Sequence, residues 1–284
     1  MSSIDFTSFL KLMAHQKASD LFITAGMPPS IKVHGKISPI TQNPLTPQQA
    51  RDLVLNVMTP PQREEFEKTH ECNFAIGVSG VGRFRVSCFY QRNQVGMVLR
   101  RIETHIPTIE ELNLPPIIKT LAMTKRGIVI FVGATGTGKS TSLAAMIGYR
   151  NQNSTGHIIT IEDPIEFVHK HAGCIITQRE VGIDTDSWDA ALKNTLRQAP
   201  DVILIGEILD AETMEAAIAF AETGHLCLAT LHSNNADQTI ERILNFFPEA
   251  AHKNVLMNLA LNLRAVVSQR LVVGTDGRRL PAAE

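Results

Sequence analysis

One glycine-rich stretch constrains the fold of this chain more than any other feature of its sequence. Residues 133–140 read Gly-Ala-Thr-Gly-Thr-Gly-Lys-Ser, which satisfies the phosphate-loop pattern G-x-x-x-x-G-K-[ST] at every fixed position. The apolar run Gly127–Val132 before it indicates a buried strand, and Thr141–Ile147 after it indicates a helix. This succession of strand, loop and helix predicts that the chain binds a nucleoside triphosphate.

The chemistry of this loop gives its residues expected roles. Backbone N–H groups of the glycine-rich turn can surround phosphate oxygens, and the helix N-terminus adds positive potential. The Lys139 ammonium can reach the β- and γ-phosphates, and the Ser140 hydroxyl can bind Mg²⁺. We therefore expect ATP and Mg²⁺ as cofactors. The predicted phosphate-binding residues are Gly133, Ala134, Thr135, Gly136, Thr137, Gly138, Lys139, Ser140 and Thr141.

Composition limits the class of protein. The 284 residues suffice for two domains, and a hydrophobic fraction of 44% is typical of a globular protein. The 27 basic and 28 acidic residues nearly balance, so no nucleic-acid partner is expected. No apolar run reaches the ~18 residues that span a bilayer, and no signal peptide is evident.

The cysteines favour a reducing compartment. Cys72, Cys88, Cys174 and Cys227 are scattered and form no C-x-x-C pair, so we expect neither zinc nor a disulfide framework. A cytoplasmic location is the simplest interpretation.

The pattern of predicted elements changes near residue 105. Residues 1–104 mix short helices with strands, ending in an antiparallel meander, which predicts a small α+β domain. Residues 105–117 are expected to form a linker with one short helical piece. In residues 118–284 strands alternate with helices, which predicts a mostly parallel sheet covered on both faces. The last helix of this series is predicted at Ala250–Gln269.

Two acidic segments follow predicted strands of this sheet, at the edge where parallel sheets bind ligands. Glu207 comes after the strand Val202–Ile205, with Gly206 between them. The segment Glu162–Glu166 follows the strand His157–Ile161. One of its carboxylates could polarise the attacking water, or the segment could be a solvated turn.

Two histidines flank another predicted strand, Leu226–Leu231. His232 follows the strand, on the same edge as the phosphate loop, and could sense the γ-phosphate. His225 precedes the strand. Each belongs to a Thr-x-His triplet, which makes a purely structural role for both less convincing than for a lone histidine.

Taken in order, four segments resemble the Walker A, Asp box, atypical Walker B and His box motifs of the secretion ATPase superfamily. They are Gly133–Ser140, Ile161–Glu166, Asp201–Glu207 and Thr223–His232. Three N-terminal segments resemble the type IV pilus retraction ATPases of the PilT/PilU group: Ala18–Leu21, Gly26–Pro29 and Gly82–Val86. Three others are more similar to the PilU branch: Cys72–Ile76, Phe89–Asn93 and Leu99–Glu103. The resemblance covers essentially the whole chain and implies an α/β RecA-like P-loop ATPase domain with a smaller N-terminal α+β, PAS-like domain.

The resemblance also implies roles for individual residues. Glu166 corresponds to the general base, Glu207 to the Walker B carboxylate that organises Mg²⁺ and water, and His232 to a histidine that contacts the γ-phosphate. Arg85 and Arg100 correspond to arginines presented to the nucleotide of a neighbouring subunit. His225 is included among the nucleotide-binding residues. Arg83, Arg92 and Arg101 are expected to be solvated strand residues instead.

The chain departs from the family pattern in two places. Leu209 stands where family members usually carry an arginine shortly after the Walker B glutamate. The chain ends at Glu284, where family members continue, so a C-terminal helical segment is expected to be missing.

The expected function is that of a hexameric, ATP-hydrolysing motor for type IV pilus retraction and twitching motility. It would lie in the cytoplasm, peripheral to the inner membrane. The resemblance implies an inner-membrane platform protein and a paralogous retraction ATPase as partners. One alternative is an accessory subunit with weak hydrolysis, which Leu209 keeps open. A RecA-like nucleic-acid translocase is another, disfavoured by an aromatic content of 5%. Extension ATPases carry a tetracysteine zinc module after a segment like Ser268–Leu271, and no cysteine follows here.

Overall fold

A computed structural model describes residues 6–102, 105–274 and 279–284 of the chain. Glu103, which ends one of the segments used for the family resemblance, and residues 275–278, in the cysteine-free stretch after Ser268–Leu271, lie outside these ranges. The chain divides into two compact units, Met1–Glu103 and Thr104–Glu284.

The N-terminal unit is built on an antiparallel sheet. Its elements are α1 (Phe6–His15), β1 (Asp20–Thr24), β2 (Ser30–Val33), β3 (Lys36–Pro39), α2 (Pro47–Asn56), α3 (Pro60–Thr69), β4 (Glu71–Val78), β5 (Gly82–Gln91) and β6 (Gln94–Arg101). The strand order is β3-β2-β1-β6-β5-β4, and each neighbouring pair is antiparallel. The predicted α+β character of this part is therefore confirmed.

Local sequence explains where the helices of this unit begin. The Thr46 hydroxyl accepts the Gln49 N–H at 3.2 Å, and the Gln49 side chain accepts the Thr46 N–H at 2.9 Å. This reciprocal capping box satisfies N–H groups that the first helical turn leaves without partners. The same T-P-x-Q arrangement begins α3, where Thr59 N–H donates to Gln62 at 2.9 Å.

The C-terminal unit is built on a larger sheet. Its elements are α4 (Ile117–Ala122), β7 (Gly127–Val132), α5 (Lys139–Asn153), β8 (Gly156–Glu162), β9 (Cys174–Glu180), α6 (Trp188–Thr195), β10 (Val202–Ile205), α7 (Ala211–Glu222), β11 (Leu226–Leu231), α8 (Ala236–Leu244), α9 (His252–Asn262), β12 (Leu263–Val273) and β13 (Arg279–Ala283). The order is β13-β12-β7-β11-β10-β8-β9, parallel except for β13. None of the helices in the described part of the chain is both long and apolar enough to cross a membrane.

Both faces of the larger sheet are covered. On β7, Ile128, Ile130 and Val132 belong to one apolar cluster, and Val129 and Phe131 belong to another. Helices α7 and α9 contribute to the first cluster and α4 and α5 to the second. Such two-sided burial produces the continuous apolar runs that the sequence shows, and the predicted doubly covered α/β sheet is confirmed.

The prediction for the end of the chain is wrong in one respect. The helix predicted at Ala250–Gln269 ends at Asn262, and Leu263–Val273 continues as strand β12 beside β7. The β-branched residues Val266 and Val267 pair with Ile130 and Phe131 of β7, and such residues favour strands. In the segment predicted to be a linker, Ile109 and Leu114 are buried in the core of the C-terminal unit.

Candidate nucleotide-binding site

Most of the predicted site residues lie at the carboxyl ends of the central parallel strands. Strands β7, β11, β10 and β8 are consecutive neighbours. The phosphate loop follows β7, His232 follows β11, Glu207 follows β10, and Glu162 ends β8. Because ligands of such sheets bind outside the carboxyl ends of the strands, the geometry agrees with a nucleotide site at this edge.

The phosphate loop needs glycine at two of its positions for a steric reason. Gly133 has φ of 147°, and a Cβ there would lie 2.4 Å from the Gln269 carbonyl oxygen. Gly138 has φ of 87°, and a Cβ there would lie 2.9 Å from the Gln269 side-chain nitrogen. At Gly133 the backbone of β12 therefore leaves no room for a side chain, and at Gly138 the positive φ favours glycine.

Lys139 begins α5, and its side chain folds back over the phosphate loop. Its ammonium donates to the Gly133 carbonyl at 2.8 Å and to the Ala134 carbonyl at 3.0 Å, and only 8% of the residue is exposed. Burial lowers the pKa of the ammonium, and attraction to Glu207 opposes that shift. The cation is thus held where phosphate oxygens can take over from the two carbonyls. Ser140, in the same first turn, is exposed.

Glu207 and His232 form a pair at the edge of the sheet. The His232 Nε2 atom lies 2.9 Å from Glu207 Oε1, and both side chains are partly exposed. Gly206 explains the unusual Gly-Glu ending of this strand: a Cβ there would lie 3.1 Å from the Ile161 carbonyl and 3.2 Å from the Glu162 Cα atom. The chain passes close to β8 at this point and places Glu207 beside the acidic segment.

The two glutamates of the acidic segment differ in environment. The Glu162 carboxylate accepts hydrogen bonds from Thr160 Oγ1 at 2.6 Å and Gln178 Nε2 at 3.2 Å. Burial, and to a lesser extent the nearby Glu166 charge, raises the pKa of Glu162. Glu166 itself is exposed. A solvent-facing carboxylate with a second acid beside it is the better placed of the two to contact water.

His225 does not lie at this edge. It precedes β11, and its Nδ1 atom lies 3.1 Å from the Phe220 carbonyl and 3.0 Å from Thr223 Oγ1. A strand of six residues, as β11 is, separates it from the phosphate-loop edge, a span of roughly 20 Å. The structure thus places His225 at the end of β11 opposite to His232 and the phosphate loop, and its role as a nucleotide-binding residue stays a prediction. Strand polarity explains this placement, because the two Thr-x-His triplets flank opposite ends of one strand.

Arg85 and Arg100 lie in the N-terminal unit. They stand directly opposite each other on β5 and β6. The Arg100 Nε atom donates to Asp20 Oδ1 at 2.9 Å, while 67% of the Arg100 side chain is exposed. The structure therefore brings these two predicted residues together on one face of the sheet.

The structure adds residues that the sequence interpretation missed. A cleft of about 280 Å³ next to the phosphate loop is lined from the other side by the strand pair β12–β13 and by the loop after β11. The contributing residues outside the phosphate loop are Asn234, Arg270, Leu271 and Arg279. The family-like segment Ser268–Leu271 could have indicated this wall from the sequence, because it contains Arg270 and Leu271.

Gln269 connects that wall to the phosphate loop. Its side-chain nitrogen donates to the Thr137 carbonyl at 2.8 Å, and its side-chain oxygen accepts from Ser142 Oγ at 2.8 Å. Only 1% of Gln269 is exposed. A buried amide that is satisfied on both sides fixes the distance between β12 and the loop.

We expect Gln269→Leu to destabilise the C-terminal unit and to weaken nucleotide binding. The leucine side chain cannot replace the hydrogen bonds that Gln269 makes to the Thr137 carbonyl and the Ser142 hydroxyl. A buried polar group that loses its partner lowers the free energy of unfolding by about 1–3 kcal/mol. Melting followed by circular dichroism and titration with a fluorescent ATP analogue measure the two effects. Gln152→Leu, at the exposed end of α5, is the matched control. A variant with unchanged Tm and unchanged Kd contradicts the bracing role.

Leu209 is 49% exposed. It precedes α7, where its N–H donates to Thr213 Oγ1 at 3.1 Å. It is therefore not a core residue, and the departure from the family pattern at this position is a surface replacement of a cation by an apolar side chain.

The chain is similar to known proteins in both sequence and structure. Residues 6–278 match the family model described as "Type II/IV secretion system protein". The chain is 68% identical over 275 residues to the type IV pilus ATPase PilU of Pseudomonas aeruginosa, covering 97% of this chain and 72% of that protein. It is 43% identical over 281 residues to PilT of the same organism, which is called a type IV pilus retraction ATPase, covering 99% and 82%. A crystal structure of the pilus retraction motor PilT with bound ADP superposes with a TM-score of 0.93 at 43% identity, covering 99% of this chain and 82% of that one.

Proposed function

This chain belongs to the type II/IV secretion system protein family, within its PilT/PilU group of ATPases, and from that premise we propose that it is a hexameric motor for the retraction of type IV pili. The sequence identity of 68% to PilU of Pseudomonas aeruginosa is the observation that carries this proposal, and the phosphate loop, Glu207 and His232 at one edge of the sheet agree with it. Within the proposal the motor works in the cytoplasm, peripheral to the inner membrane, with an inner-membrane platform protein and a paralogous retraction ATPase as partners.

The chain's own residues divide the hydrolytic step between them. Lys139 and the backbone N–H groups of the loop hold the phosphates. Glu166, as general base, takes a proton from the attacking water. Glu207 and His232 lie beside the γ-phosphate position, where the pair orients water and the phosphate oxygens.

The oxygen donors also suit a divalent cation. The Ser140 hydroxyl and the Glu207 carboxylate are hard ligands of the kind Mg²⁺ prefers. The described residues contain no group of three or more histidine, cysteine, aspartate or glutamate side chains able to hold a metal, so the cation depends on the nucleotide phosphates as well. When bound, Mg²⁺ neutralises charge that develops on the phosphates.

The proposal also places Arg85 and Arg100 at the nucleotide of a neighbouring copy. Their position opposite each other on one face of the N-terminal sheet, with Arg100 exposed and Arg85 half-buried, supports this role. An arginine supplied by a neighbour contributes a factor of about 10³–10⁵ in phosphoryl transfer. Each catalytic site would then contain parts of two subunits.

We expect an equimolar mixture of Arg100→Ala and Lys139→Ala chains to hydrolyse ATP faster than either variant alone. In a mixed ring, one interface combines an intact phosphate loop with an intact arginine. The measurement is steady-state ATPase, with co-assembly verified by affinity capture of one tagged variant. Cells that express both variants should likewise regain retraction of fluorescently labelled pili.

The control for this experiment is Arg92→Asn, at an exposed turn with φ of 48° that asparagine tolerates. It should keep its activity alone. Mixed rings no more active than their parents, despite co-assembly, contradict the shared site. Restored hydrolysis without restored pilus retraction contradicts the cellular role alone.

A further inference from the structure

A row of charged side chains crosses the N-terminal sheet on the face opposite its core. In the strand register, Lys32 of β2 stands opposite Asp20 of β1, Asp20 opposite Arg100 of β6, and Arg100 opposite Arg85 of β5. Three cations therefore share one row with a single carboxylate. Like charges directly opposite each other on neighbouring strands repel. Asp20 stands between Lys32 and Arg100 and keeps these two cations apart.

Asp20 differs from its neighbours in burial. Only 4% of the residue is exposed, whereas most of the Arg100 side chain is in solvent. Both carboxylate oxygens of Asp20 are engaged: Oδ2 accepts the Ser19 hydroxyl at 2.8 Å, and Oδ1 accepts the Arg100 Nε at 2.9 Å. The anchor of this ion pair is therefore rigid and buried, and its other end projects outward.

This geometry restrains Arg100 through one specific nitrogen. A guanidinium group carries five N–H donors in a fixed plane, so pairing at Nε fixes the direction of the two terminal nitrogens. A buried carboxylate costs free energy, and well-packed apolar residues often stabilise a fold as well as an ion pair does. The stability of the fold therefore does not explain an aspartate at position 20. A role in orienting the exposed Arg100 guanidinium does explain it.

We propose that Asp20, held by Ser19, is a positioning residue that aims the terminal guanidinium nitrogens of Arg100 at the phosphates bound by the phosphate loop of a second copy of this chain. The inference rests on the shared site proposed above and assigns it two further residues. Asp20 touches neither nucleotide nor water in this role and acts only through Arg100.

We expect Asp20→Asn to lower kcat by about 10- to 100-fold, the range known for residues that orient metal ligands and so act through another side chain in the same way. The KM for ATP should change less, because the nucleotide-binding loop belongs to the other unit. Ser19→Ala should lower kcat in the same direction by a smaller factor. Since Ser19 is exposed, this second variant tests the role without threatening the fold. Asp52→Asn makes the same chemical change at an exposed carboxylate of the same unit and should have no effect.

Complementation separates positioning from a merely structural role. Asp20→Asn chains mixed with Lys139→Ala chains should regain activity, because the second chain supplies a correctly aimed Arg100. Asp20→Asn chains mixed with Arg100→Ala chains should regain none, since both lack that function. In one chain, adding Asp20→Asn to Arg100→Ala should cause no further loss of kcat.

The outcomes distinguish this inference from the proposal beneath it. If Arg100→Ala and Lys139→Ala fail to complement, the shared site is wrong and the role of Asp20 is wrong with it. If they complement, the inference alone is overturned by an Asp20→Asn variant with unchanged kcat, by its failure to be rescued by Lys139→Ala, or by losses that multiply with that of Arg100→Ala.

Discussion

Purified Lys139→Ala protein is expected to lose ATP hydrolysis and to bind ATP at least 10- to 100-fold more weakly. In the structure the ammonium is held by the carbonyls of Gly133 and Ala134, within reach of the phosphate-binding turn. Phosphate oxygens replace these neutral acceptors with charged ones, and a hydrogen bond to a charged group contributes about 1.5–3 kcal/mol. At 1.4 kcal/mol for each factor of ten, one such bond accounts for the expected weakening.

The loss should concern the ligand rather than the fold. Alanine removes a partly desolvated cation together with its two bonds to the loop, and these changes oppose each other in the free energy of unfolding. Tm is therefore expected to change little. Lys193→Ala, which removes an exposed lysine paired with Asp189 at 2.7 Å in the same unit, controls for loss of charge. Hydrolysis at the normal rate by the Lys139→Ala protein contradicts the assignment of the phosphate loop.

Local patterns predicted the fold of the C-terminal unit well, because its central strands are buried on both faces. Runs such as Gly127–Val132 and Leu226–Leu231 are fully buried, and the predicted alternation of these central strands with helices is confirmed. The family prediction is confirmed as well. The error at Leu263–Val273 has a physical cause: its apolar residues are consistent with either a helix or a strand, and pairing with β7, which is distant in sequence, selects the strand.

The candidate site was predictable for the residues that follow parallel strands, because such strands end at the same edge of the sheet. The phosphate loop, Glu207 and His232 each follow a parallel strand, so their common edge follows from the order of elements. Gln269 was not predictable in this way, because its contact with Thr137 depends on strand β12 lying beside β7. The pairing of Asp20 with Arg100 likewise joins residues 80 positions apart and becomes visible only in the register of β1 and β6.

We expect Glu207→Gln and Glu166→Gln to keep ATP binding and to lower kcat by about 10²–10⁴-fold, the usual contribution of a positioned base. Glutamine preserves the shape of each side chain and removes its charge. At Glu207 it also leaves His232 without the carboxylate that lies 2.9 Å from its Nε2 atom. Steady-state ATPase assays and titration with a fluorescent ATP analogue measure turnover and binding separately.

Glu162→Gln is the matched comparison within the acidic segment. Burial already raises the pKa of the Glu162 carboxyl group, which lies within hydrogen-bonding distance of Thr160 and Gln178. Its neutral form is therefore less costly than that of a carboxyl group in water, and its amide variant should lose much less turnover than Glu166→Gln. Glu215→Gln, on the exposed side of α7, should lose none. A loss of less than tenfold at both Glu166 and Glu207, or a greater loss at Glu162 than at Glu166, shows that the base has been assigned to the wrong carboxylate.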